Sequence, residues 1–255
     1  MIDSPSTITE LQNIAEQILP EEQMQFVRRG SYGNWTRDRN RTCLDKIALN
    51  PRLLRDTTER DLSTNVLGEK ISLPVMCAPA GGQCGSHPDG ELATARAAGY
   101  SSTLMALPVG SGYTIEEVAK TATSPIWFQH IHYSDAISEI FLPRLKPAGY
   151  SAVMLTVDAI GPFQPIRRPF NLDNAAPKRT RYPLQMKKFG SLAGYEDNDN
   201  LLDEHGEVRW VPPNITWDRL DWLKNLSGDL PLVVKGIRNV SDALLCVDHG
   251  VDGIV

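Results

Sequence analysis

Five apolar runs in this chain end on residues that could do chemistry. "LPVMCAPA" leads through Pro79 and Ala80 into Gly81, "SSTLMAL" is followed by Pro108, "PIWFQHI" carries Gln129, "SAVMLTVD" carries Thr156 and Asp158 at its end, and "PLVVKGI" carries Lys235. If the runs are parallel strands of one barrel, their C-terminal ends converge on one mouth. An amide, a hydroxyl and an ammonium aimed there could hold a planar heterocycle by its hydrogen-bonding edge, and the small Ala80 and Gly81 would leave room for a ring face. In the plainer reading, Gln129 and Thr156 satisfy backbone groups and Lys235 is a surface charge. Periodicity by itself favours the plainer one.

The elements that must position these residues alternate along the chain. "PDGELATARAAGY" reads as a helix begun by Pro88 and ended by Gly99. "TIEEVAKTA" carries a capping box, Thr114 with Glu117, and "SDAISEIFLPRLKPAGY", "WDRLDWLKNL" and "NVSDALLCVDHG" are the later helical segments. Short apolar runs separated by single helices argue for parallel strands with crossover helices on the faces. A doubly wound sheet and an eight-stranded barrel both satisfy that pattern. Ahead of it, "STITELQNIAEQILP" predicts an accessory helix over residues 7–19, with Thr7 and Glu10 as a capping box, followed by a polar connection to about residue 72. Pro143 and Pro147 fall inside the third helix of the alternation, where a break is expected. Residues 159–214 lack periodicity and are rich in Pro, Asn and Asp, which predicts a long loop at the C-terminal end of a strand.

Composition narrows the partners. With 26 basic and 31 acidic residues the net charge is −5, and no stretch clusters Lys and Arg with aromatics, so nucleic acid is not an expected partner. No apolar run is long enough for a membrane span, the first residues do not form a signal peptide, and a cytoplasmic protein is expected. The cysteines, Cys43, Cys77, Cys84 and Cys246, are too scattered for a disulfide framework. A small metabolite is the expected ligand.

The run "NPRLLRDTTERDLSTNVLGEKISLPVMCAPAGGQCGSHPDGELATARAA", with "WFQHIHYSDA", "LTVDA" and "PLVVKGIRNVSDALLCVDHGVDGIV", resembles the FMN-dependent α-hydroxy acid dehydrogenase family, which includes glycolate oxidase, lactate oxidase and flavocytochrome b2. The match spans about residue 7 to Val255, interrupted in the long loop. The resemblance implies one FMN hydroxy acid dehydrogenase domain over residues 1–255, a (β/α)8 barrel with FMN at its mouth, oxidising a 2-hydroxy acid such as lactate to the 2-oxo acid, and a homo-oligomer for the full-length protein. It implies that Pro79, Ala80 and Gly81 pass the flavin with their backbone, that Pro108 stands where a serine or threonine commonly contacts it, and that Gln129 and Thr156 bond its pyrimidine edge. Lys235 would sit near N1, where negative charge develops during hydride transfer. Asp158 resembles the aspartate that steadies the catalytic histidine, and Arg168 the loop arginine that closes over substrate. Phe26 and Ile131 occupy the places of two substrate-contacting tyrosines and cannot donate a hydrogen bond, which points to a larger, more apolar substrate or to a site that has lost function.

The terminal stretch "HGVDGIV" reads as a helix cap at Gly250, a turn and the start of a sixth strand. In the family that strand leads into the segment holding the histidine base and an arginine for the substrate carboxylate, and the last strands supply the loops that bind the FMN phosphate. None of the five histidines, His87, His130, His132, His205 and His249, aligns with that base. His130 and His132 flank the third strand and could be recruited, with a structural role as the plainer alternative. The chain is therefore read as the N-terminal two-thirds of a flavoenzyme barrel, truncated after the start of the sixth strand and inactive as it stands. Two further readings are a non-catalytic remnant that binds a partner, and a flavin oxidoreductase for a bulkier substrate.

Overall fold

The computed structural model describes residues 5–28, 30, 33–132, 135–159 and 215–255, and of Glu22 and Phe26 the backbone only. Arg168, the Phe26 side chain and the expected loop beyond Ala159 lie outside the described residues. Residues up to Arg60 belong to one compact unit, and the described residues from Asp61 onward to a second.

In the first unit, helix α1 (Ile8–Ile18) starts at the capping box: the Glu10 amide donates to Thr7 Oγ1 at 3.1 Å, and Glu10 Oε2 accepts from the amides of Ser6 and Thr7. Helices α2 (Glu21–Arg28) and α3 (Trp35–Leu44) follow where the sequence suggested only polar connection. In α3, "WTRDRNRTCL", every residue is at least partly exposed, so it carries no apolar stripe to announce it.

The second unit opens with a hairpin, β1 (Thr64–Val66) and β2 (Glu69–Ile71), turned through Leu67 at φ 48° and Gly68 at φ 86°. Two successive positive φ values match the twist of the strands, and Gly takes the second without strain. Five parallel strands come next: β3 (Met105–Pro108), β4 (Ile126–His130), β5 (Ala152–Thr156), β6 (Leu232–Lys235) and β7 (Gly253–Ile254), paired strictly in chain order. Helices α5 (Ile115–Thr121), α6 (Asp135–Ala148), α7 (Asp218–Leu226) and α8 (Val240–Asp248) make the crossovers, and α4 (Gly90–Tyr100) precedes β3. A doubly wound sheet reverses its order at a switch point, whereas this sheet adds each new strand at the same edge, as a barrel does.

Two expectations are corrected. The strand expected at "LPVMCAPA" shrinks to a single parallel bridge between Cys77 and Met105, with the Cys77 amide on Leu104 O at 2.8 Å and the Ala106 amide on Cys77 O at 3.0 Å. Pro74 and Pro79 flank the bridge and supply no N–H, which stops the ladder on both sides. The break expected in the third helix is absent, because α6 runs unbroken through Pro143 and Pro147. Each proline strips a donor from the carbonyl four residues back, at Glu139 and Pro143. Those residues and both prolines are exposed, so water can serve the freed carbonyls while Phe141, Leu142 and Leu145, fully buried, hold the opposite face.

Alternation along the strands builds two cores. Met105, Leu107, Phe128, Val153, Leu155, Leu232 and Val234 face the helices, with Phe141, Leu142 and Leu145 of α6 packed on them. Leu104, Ala106, Trp127, Ala152, Met154 and Val233 face the other way, and Ile71, Val66 and Leu67 of the hairpin cover that face at the N-terminal end of the strands. The opposite end is left to polar residues.

Candidate active site

Register fixes which side chains share the inner face at the C-terminal end. Pro108 pairs with Gln129, Gln129 with Met154, and Thr156 with Lys235. Gln129 and Thr156 are inward-facing on neighbouring strands and one inward step apart, a diagonal that side chains of this length can bridge. The Gln129 amide donates to Thr156 Oγ1 at 2.8 Å, and its oxygen accepts from the Val109 amide at 3.3 Å. Both side chains are buried. The half-buried Lys235 stands beside Thr156 on the same face and makes no ion pair among the described residues. The amide and hydroxyl thus meet at one place and satisfy each other there, with Lys235 at the register position beside Thr156.

The loops at this mouth are built from small residues. Ala80 and Gly81 are exposed, the Gly82 amide donates to Gly110 O at 3.3 Å, and Gln83 Nε2 donates to Ala80 O at 3.0 Å. A Cβ at Gly81 would sit 3.5 Å from Gly110 O, so the two loops run in van der Waals contact. Pro108 is buried at the end of β3.

Asp158 lies two residues past β5, and its Oδ2 accepts from Arg238 Nη2 at 2.8 Å. Gly236, at φ 112°, presses against it: a Cβ there would come within 2.7 Å of the Asp158 carboxyl carbon. Arg238 and Gly236 were not singled out in the sequence, although a Gly directly after Lys235 at a strand end is the kind of signal that marks a close backbone approach. Ile131 follows β4, half-buried and packed against the helix-side core.

The two candidate histidines serve that same helix-side layer. His130 is fully buried, and Nε2 lies 2.9 Å from Ser138 Oγ; His132 Nδ1 lies 3.0 Å from the same hydroxyl, and its Nε2 is 3.4 Å from Asp135 Oδ1. Adjacent strand residues point to opposite faces, so a Gln129 that looks into the mouth turns His130 away from it. Burial, reinforced by the neighbouring His132 ring, pushes the His130 pKa down to about 3. Burial also lowers that of His132, against the pull of Asp135.

An electron-accepting heterocycle fits this donor set: hydrogen-bonding groups and a cation at one edge, small residues open to solvent on the flanking loop. The profile of the family described as FMN-dependent dehydrogenase matches residues 15–255. Glycolate oxidase 3 of Arabidopsis thaliana is 35% identical over 258 residues, covering 98% of this chain and 67% of the relative, and glycolate oxidase of Spinacia oleracea is 34% identical over the same extent. Among solved structures, mandelate oxidase superposes with a TM-score of 0.79 at 28% identity, covering 98% of this chain and 68% of that one, and mandelate oxidase with (S)-mandelic acid bound, a Y128F variant, with 0.78. The chain thus spans about two thirds of the length of its relatives, and its five ordered parallel strands are those of the flavin-oxidase barrel. Sequence profile, relatives and fold agree: the chain belongs to the FMN-dependent dehydrogenase family of 2-hydroxy acid oxidases, whose cofactor is FMN.

Proposed function

We propose that this chain carries the flavin-ring half of an enzyme oxidising an apolar 2-hydroxy acid to the 2-oxo acid. The observation that carries the reading is the convergence of Gln129, Thr156 and Lys235 on one inner face, with Lys235 lacking a carboxylate partner among the described residues. FMN supplies the two-electron acceptor for the substrate hydride. Gln129 and Thr156 would hold the ring's pyrimidine edge in place of their mutual hydrogen bond. Lys235 would supply a fixed positive charge where electron density arrives. Pro79, Ala80, Gly81 and Pro108 keep the flanking backbone close and flat. Asp158 would steady the base that takes the substrate proton, and Arg168 would close over the substrate.

The substrate preference rests on what the family resemblance implies for Phe26 and Ile131, which stand where the family has two tyrosines; Ile131 itself packs against the helix-side core. Neither offers a hydrogen bond to a small hydroxy acid, and a lost donor costs about 1–3 kcal/mol, so a substrate with an aromatic or branched side chain is favoured over glycolate or lactate. The mandelate oxidases among the solved relatives act as a guide to the assay. The 255 residues span 67% of the length of their relatives, and by themselves they are expected neither to retain FMN tightly nor to turn over.

The test is to purify the chain, add FMN, record the visible flavin band, and assay mandelate, lactate and glycolate with a dye acceptor. No turnover is expected from the chain alone, and fusion to the C-terminal third of a relative is expected to restore yellow colour and a preference for mandelate. A yellow, active 255-residue monomer refutes the proposal of inactivity, and a fusion that prefers glycolate refutes the substrate class.

A further inference from the structure

Glu91, the second residue of α4, is fully buried and makes no ion pair among the described residues. Its Oε1 accepts from the Gln83 amide at 3.3 Å; its Oε2 accepts from the Gly112 amide at 3.2 Å and lies 3.5 Å from Cys84 Sγ. The two amides belong to different loops, one after the Cys77 bridge and one after β3, so a single carboxylate ties both loops together from beneath. Glycines make the arrangement possible: a Cβ at Gly90 or Gly112 would fall 2.5 Å from Cys84 Sγ. Thr94 Oγ1, one turn along α4, donates to Gln83 Oε1 at 2.6 Å, and Gln83 Nε2 passes the constraint on to Ala80 O at 3.0 Å. A burial this complete is costly for a carboxylate unless its acceptors are used, and here they are used on backbone that runs to the mouth.

We infer that Glu91 is a positioning residue for the flavin: without reaching the mouth itself it holds together the Ala80–Gly81 and Val109–Gly112 loops, whose packed outer surface would flank the ring. The inference rests on the flavin reading proposed above. It follows that Glu91 governs affinity for the flavin ring itself and leaves the contribution of the phosphate untouched.

The experiment uses the full 255-residue chain with riboflavin as a ring-only probe, read by fluorescence quenching, and backbone amide exchange at Gln83 and Gly112. In Glu91→Ala both amides are expected to exchange at least about tenfold faster and riboflavin to bind about tenfold more weakly. Glu91→Gln, which keeps the shape but turns an NH2 toward one of the amides, is expected to fall between Glu91→Ala and the parent, and it serves if Glu91→Ala does not fold. Val118→Ala, a cavity in the helix-side core, controls for general destabilisation: it should lower the melting temperature while leaving riboflavin affinity and the two amides unchanged. If Val118→Ala weakens riboflavin as much as the Glu91 variants do, the effect is merely structural and the inference fails. If the parent binds riboflavin and the Glu91 variants bind it equally well, the inference fails and the flavin reading stands. If the parent does not bind riboflavin at all, the proposal that this chain carries the flavin-ring half of the site fails, and the inference with it.

Discussion

Mild acid should destabilise this protein through His130 by about 2 kcal/mol. The ring is enclosed, with Phe128 stacked at 6.4 Å between centroids; Nε2 reaches Ser138, and Nδ1 has no partner among the described residues. The titratable and charged groups on that side are His132, Asp135 on α6 and Arg219 on α7, the last two paired with each other. In the unfolded chain the imidazole titrates near its ordinary value of about 6.5, whereas in the fold it stays neutral down to about 3. Between those values the unfolded state binds a proton that the folded state refuses, so stability falls as pH falls. Each pH unit costs about 1.4 kcal/mol, which makes about 2 kcal/mol between pH 6.5 and 5, a large share of the ordinary 5–15 kcal/mol. His132, lowered for the same reason, adds in the same direction. Carboxylates held down by partners, such as Glu116 on Arg144, lose their contribution only below the ordinary carboxyl value of 4.5 and so act in a separate window. The assay is urea unfolding followed by tryptophan fluorescence from about pH 7.5 to 5, in the parent and in His130→Phe. The variant should lose about 2 kcal/mol of pH dependence over that range, its slope difference approaching about 1.4 kcal/mol per pH unit at the acid end, whatever its stability at neutral pH. Equal slopes in the two chains would refute the reasoning.

Thr156→Val strands the buried Gln129 amide without its acceptor, and is expected to cost about 1–2 kcal/mol in urea and to weaken riboflavin binding. Gly236→Ala forces a Cβ against Asp158 at a backbone angle that L-residues avoid; a loss of about 1–3 kcal/mol is expected, and an unchanged unfolding midpoint would contradict the close approach. Pro143→Ala returns a donor to the Glu139 carbonyl on the exposed side of α6, and thermal melting should show a gain of about 1 kcal/mol, the restored bond being partly offset by a freer unfolded chain.

What the sequence disclosed follows from how local each signal is. Capping boxes at Thr7 and Thr114 depend on residues three apart, and both are formed. The strand runs depend on short apolar stretches, and β3 to β7 lie where those stretches are. Gln129 and Thr156 meet because the period of two puts both on the inner face, a rule that also turns His130 outward. The hairpin β1–β2 escaped because each strand has three residues and Leu67-Gly68 is not a usual turn pair. The first strand was overread because apolar composition hid what Pro74 and Pro79 remove. Helix α6 was underread because the cost of a proline depends on whether the carbonyls it frees face water, which only the packing of Phe141 and Leu145 decides. Arg238 on Asp158, and Glu91 beneath two loops, join residues 80 and up to 21 positions apart, beyond the reach of any local pattern.

The hairpin that covers the inner face at the N-terminal end of the strands has a kinetic corollary. With Ile71, Val66 and Leu67 packed there, the hairpin closes one end of this face and leaves the polar end open. Reactant and product are expected to share that doorway. A 2-oxo acid still seated at the mouth bars the next hydroxy acid, so the working enzyme should show product inhibition that is competitive with substrate, and departure through the doorway is a step on which the turnover rate can come to depend.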